Sequence, residues 1–104
     1  MIINGEETLI INNEEFWTVR QFSNLTDFTE PRVRSLIYYG NCIRKLEVFY
    51  PCSNKPLIPA KELFEFPFVL SGRPLKEYEN SLKVKRFYLN EENVLSSREE
   101  IIER

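Results

Sequence analysis

The chain has 104 residues, enough for one domain around a single modest core. Its 14 basic and 16 acidic residues leave a net charge of −2, which at face value counts against a nucleic-acid partner. With no histidine and only two cysteines, it cannot support histidine-based catalysis, nor a zinc site of four thiolates or of three thiolates and an imidazole.

The first residues, Met1-Ile2-Ile3-Asn4-Gly5-Glu6-Glu7, carry no basic region and no long apolar run, so no signal peptide is expected. No stretch approaches the ~18 apolar residues of a membrane helix. These features predict a cytoplasmic protein with no membrane association and with Cys42 and Cys52 reduced. Asn4-Gly5, between Ile2-Ile3 and Leu9-Ile10-Ile11, is a strong hairpin turn. Residues 8–11 read as a short strand and residues 1–3 as a weaker one. The charge is uneven: residues 1–17 hold four glutamates and no cation, and residues 62–104 hold seven basic against nine acidic residues. Residues 18–61 hold seven basic against three acidic residues, a positive block that makes a polyanion partner worth testing.

Thr18-Val19-Arg20-Gln21 fits a capping box, and Trp17 and Phe22 occupy the positions of a hydrophobic staple. Val19, Phe22 and Leu25 give this first helix an apolar stripe, which Thr26-Asp27 ends. A second helix starts with Thr29 or Glu30 as its cap and Pro31 in its first turn. Val33, Leu36 and Ile37 form its core face, and Gly40 supplies the stop. At about 100° per residue, Ser35 and Tyr38 fall opposite Val33, with Arg34 and Arg32 on the two flanks. Such a face suits a major groove, where arginine pairs with guanine edges or clamps phosphates and hydroxyls add contacts.

Ile43 to Tyr50 reads as a strand with Arg44 and Lys45 near its start. Pro51-Cys52-Ser53-Asn54-Lys55-Pro56 reads as a turn, Leu57-Ile58 as a short return strand, and Pro59 to Phe66 as a third helix. This order and these residues resemble the winged helix-turn-helix DNA-binding domains of the phage excisionase and MerR-like group. The resemblance runs over residues 16–66, from Trp17-Thr18-Val19 through Val33-Arg34-Ser35-Leu36-Ile37 to Ile58-Pro59-Ala60-Lys61-Glu62-Leu63. Asp27 stands where that group has glycine, and the wing tip is longer and less basic than usual.

The resemblance implies an α+β fold, a small winged helix-turn-helix domain with a C-terminal strand and helix extension. It implies that the second helix enters the major groove of double-stranded DNA and the wing meets a neighbouring groove or phosphates. The DNA-binding residues it points to are Arg32, Arg34, Ser35 and Tyr38 on the helix and Arg44, Lys45 and Lys55 in the wing. Arg20, in the first helix, is placed at the backbone. The role it implies is that of a small sequence-specific excisionase or transcription regulator from a phage or other mobile element.

Residues 1–15 read as an acidic strand or arm, and residues 67–104 as an extension that covers the domain or mediates self-association or a protein contact. Within it, Ser71-Gly72-Arg73-Pro74 is a turn signal. Leu82 to Leu89 reads as a strand whose Lys83, Lys85 and Arg86 either extend a basic surface or keep an edge charged. Ser97-Arg98-Glu99-Glu100 fits a capping box for a short terminal helix. No heptad repeat follows, so effector sensing of the MerR type is not expected. No phosphate-cradling glycine loop is present and the acidic pairs are adjacent in sequence, so neither catalysis nor a cofactor or metal is expected. The competing reading is a protein-binding module, a phage-encoded inhibitor or adaptor, with Tyr38, Tyr39, Phe66 and Phe68 as its aromatic surface.

Overall fold

The structure is a computed structural model that describes residues 1–70 and 81–103. Strands β1 (Ile2–Ile3) and β2 (Glu6–Glu7) form a small hairpin. Its turn residues Asn4 and Gly5 both have positive φ, 50° and 82°, as the tight turn of a two-residue hairpin requires. Strands β3 (Leu9–Ile11) and β4 (Glu14–Thr18) repeat the device around Asn12 and Asn13, with φ of 52° and 66°. Asparagine tolerates the left-handed region better than other residues with a Cβ.

Helix α1 (Val19–Thr26) follows β4 directly and has the expected capping box. The Gln21 amide donates to Thr18 Oγ1 at 3.1 Å, and the Thr18 amide donates to Gln21 Oε1 at 3.0 Å. Asp27 caps its end in the left-handed region, at φ 62°. The Ser23 hydroxyl donates to the Phe28 carbonyl and ties α1 to the linker. Helix α2 (Glu30–Tyr38) takes Thr29 rather than Glu30 as its cap, with the Arg32 amide donating to the Thr29 hydroxyl at 3.3 Å. Val33 and Ile37 are buried. Gly40, at φ 75°, ends the helix where the chain crosses the Arg44 carbonyl so closely that a Cβ would lie 2.7 Å from it.

The chain then runs irregularly to β5 (Phe49–Cys52), so the strand expected from Ile43 starts six residues later. Arg44 and Lys45 lie in the loop, where Asn41 Oδ1 accepts the Ile43 and Arg44 amides at 2.9 and 3.1 Å. Strand β6 (Lys55–Pro59) is longer than the short return expected, and α3 is a single turn, Glu62–Glu65, instead of a helix from Pro59. Strand β7 (Phe68–Val69) leads, beyond the described residues, to β8 (Ser81–Leu89) and β9 (Leu95–Glu103). The turn signal at Ser71–Pro74 falls outside the described residues.

This pairing overturns the expected fold class. The architecture is mostly β rather than a helix-dominated winged helix-turn-helix domain. Three sheets are described: β1-β2, a four-stranded sheet in the order β3-β4-β6-β5, and β7-β8-β9. The hairpin expected to project as a wing is built into the second sheet, because β6 pairs antiparallel with β4 (Trp17 opposite Ile58). The expected terminal helix is strand β9, held along its whole length by β8, with Leu82 opposite Ile102 and Leu89 opposite Leu95. β8 alternates in the two registers that its sequence shows, burying Leu82 and Val84 and then Phe87.

One core joins these parts. Trp17 and Phe22 are fully buried, and Ile3, within the expected arm, belongs to the same cluster. Phe68 is its hub, with the rings of Phe22, Phe28, Phe66 and Phe87 centred 6.0, 5.2, 4.9 and 5.4 Å away. Edge-to-face and tilted contacts of this kind are the favoured aromatic geometries. Phe66 and Phe68 are therefore interior residues and not the surface aromatics expected of them.

Candidate functional site

Register and packing bring the start of α1, the middle of α2 and the β5-β6 hairpin to one place. Thr18 pairs with Leu57 across β4 and β6, so α1 begins beside the hairpin. A groove of 410 Å³ opens there, and Arg20, Arg34 and Lys55 all line it. Thr18, Cys52 and Asn54 add polar groups to its wall, and Glu30 is the one carboxylate lining it.

The remaining site residues sit around this groove. Ser35 and Tyr38 are exposed on α2. Tyr38 follows Arg34 by four residues and so extends the same helix face. Arg32 leaves the other flank, its guanidinium carbon 4.7 Å from the centre of the Phe28 ring. Lys45 is exposed in the loop after α2. Among the described residues, Arg20, Arg32, Arg34, Lys45 and Lys55 make no salt bridge.

Arg44 is placed differently. Its guanidinium makes two hydrogen bonds to the carboxylate of Glu62, from Nη1 to Oε2 at 2.8 Å and from Nη2 to Oε1 at 2.9 Å. It also lies 4.9 Å from the centre of the Phe66 ring. Hydrogen bonding to Glu62 raises the Arg44 pKa above its ordinary value, against a smaller opposing effect of burial. An arginine bound in this way has little charge left for a ligand, and sequence reading missed its partner. The visible signal was Glu62 itself, an acid directly before the apolar pair Leu63-Phe64.

The cations of the C-terminal sheet are also engaged. Lys83 meets Glu99 at 2.8 Å and Arg86 meets Glu100 at 2.8 Å. β8 lies between β7 and β9 and so is not an edge strand, and neither residue lines the groove. Lys85 lies 5.0 Å from the centre of the Phe87 ring. Among the described residues, the cations without a salt bridge lie on the two helices, the loop after α2 and the β5-β6 hairpin, with Lys85 on β8 the exception.

Tyr39 is 80% exposed at the end of α2, as the competing protein-binding reading expects of it. The two cysteines are exposed and are not joined by a disulfide. Among the described residues no helix is long and apolar enough to cross a membrane. Comparison of the chain with known protein families, with curated proteins and with solved structures finds no match.

Proposed function

We propose that the protein binds double-stranded DNA at the groove between α1, α2 and the β5-β6 hairpin. Arg20, Arg34 and Lys55 hold backbone phosphates there. The exposed face of α2 beside them, with Ser35 and Tyr38, reads base edges. The observation that carries this reading is the meeting of three cations from three separate elements in one groove, without an ion pair among the described residues. Glutamates elsewhere make the chain acidic overall, so non-specific affinity is low and tight binding depends on a specific site or on several copies. The role is that of a recombination or transcription factor acting by occupancy, without chemistry. Arg44 is left out of the binding set because Glu62 holds it.

Titrating labelled duplexes with protein at increasing salt tests the reading. Binding that uses three or four phosphate contacts gives a log–log slope of about −3 to −4. No binding at low salt, or a flat response, would count against it.

A further inference from the structure

The four-stranded sheet carries a second groove at the other end of its strands. The first groove is reached by Leu9, Thr18 and Leu57, the second by Ile11, Phe16 and Pro59, two residues along the same three strands. It has a volume of 770 Å³, and Phe16, Val48, Phe49 and Phe64 contribute apolar walls. The rings of Phe16 and Phe49 stack at 5.4 Å, and Phe49 is 42% exposed.

Three carboxylates, Glu14, Glu15 and Glu47, line this groove. Glu15 is occupied, since its Oε1 lies 2.6 Å from the Met1 amino group. Lys61 comes within 3.9 Å of Glu47, but both side chains are more than 60% exposed, and such a pair is loose. Met1 and Lys61 line the groove too, so three carboxylates face two cations beside the aromatic floor, and Glu14 is the carboxylate left without a salt bridge among the described residues.

We propose that this groove docks a basic segment of a partner protein, an extended peptide with arginine or lysine next to large apolar side chains. The cations meet Glu14 and Glu47, and an apolar side chain or an arginine lies over the exposed Phe49 ring, which Phe16 backs from below. Nucleic acid is disfavoured because its phosphates would face these carboxylates. A second copy is disfavoured by shape, because among the described residues the grouped cations of this chain line a recess and a recess does not enter a recess. The proposal uses none of the residues of the DNA reading, so each can fail alone.

Fluorescence polarisation with a labelled dodecapeptide alternating leucine and arginine tests it, against the same peptide with glutamate for arginine. The basic peptide is expected to bind the full chain at micromolar concentration and the acidic one not at all. Glu14→Lys with Glu47→Lys, both surface changes, is expected to weaken binding at least tenfold. Arg20→Gln with Arg34→Gln is expected to leave it unchanged. Equal binding of both peptides, full binding by the Glu14→Lys, Glu47→Lys variant, or no binding at millimolar peptide overturns the proposal. So does a concentration-dependent dimer in sedimentation that the same variant abolishes, since the occupant is then a second copy.

Discussion

The Arg44 guanidinium closes on the Glu62 carboxylate with two parallel hydrogen bonds, and the Glu47 amide adds a third donor at 3.0 Å. The Glu62 side chain is 2% exposed and that of Arg44 is 38% exposed. The pair clamps the loop that leaves α2 onto the start of α3. Its two halves are unequal, because losing Arg44 strands a buried carboxylate whereas losing Glu62 releases a guanidinium to water. Arg44→Met is expected to lower stability by about 3 kcal/mol and Glu62→Gln by clearly less, read from urea unfolding. The folded fraction of Arg44→Met is expected to bind DNA with the parent affinity.

Gly40 and Gly5 both have positive φ but differ in surroundings. Open space surrounds a Cβ at Gly5, while one at Gly40 meets the Arg44 carbonyl and Lys45 Cα at 2.7 Å. Gly5→Ala is expected to cost about 1 kcal/mol, the left-handed penalty alone. Gly40→Ala is expected to cost well over 2 kcal/mol, since the α2 exit must also shift. Thermal melts of the two variants check the order.

Glu15 is held below the ordinary carboxyl pKa of 4.5, first by its hydrogen bond with the terminal amino group and then by the Thr8 hydroxyl. A carboxylate with a folded value below its unfolded one favours the folded state above the unfolded pKa. That contribution disappears as pH falls through the folded value. Carboxyl NMR titration is expected to show Glu15 protonating at lower pH than in the Thr8→Val variant. Stability measured between pH 5 and pH 2 is expected to fall less steeply in Glu15→Gln than in the parent.

Local signals in the sequence were read correctly where one short segment decides the outcome. The Thr18–Gln21 capping box, the helix end at Thr26-Asp27 and the stop at Gly40 each depend on residues within one turn of chain. The Asn12-Asn13 turn is equally local, and strand β4 follows from it. What the sequence did not reveal is which distant segments pair. β4 with β6 turns an expected projecting wing into part of a sheet. β8 overrides the capping pattern at Ser97 by supplying a full ladder and by setting Lys83 against Glu99. Tertiary pairing commonly outweighs local propensity in this way. The same limit applied to the site: Arg20, Arg34 and Lys55 were named as separate cations, and their meeting in one groove depends on the pairing of β4 with β6. Arg44 looked like its neighbours until Glu62, eighteen residues on, was found against it.

Glu30 is the one carboxylate that lines the cationic groove, four residues before Arg34. It favours the start of α2 by a few tenths of a kcal/mol but opposes any phosphate nearby. Glu30→Gln is expected to raise DNA affinity about two- to fivefold at low salt with little change in melting temperature. Fluorescence anisotropy and a thermal melt on the same sample check both halves.

The most direct test of the account is the salt dependence of duplex binding in the Arg20→Gln, Arg34→Gln, Lys55→Gln triple variant. All three side chains are exposed, so the fold is expected to survive, and a circular dichroism melt verifies it. The account predicts that binding weakens by at least a hundredfold at low salt and that the log–log slope becomes shallower by about 2 to 3. A folded triple variant that binds DNA with the parent's affinity and slope would contradict it.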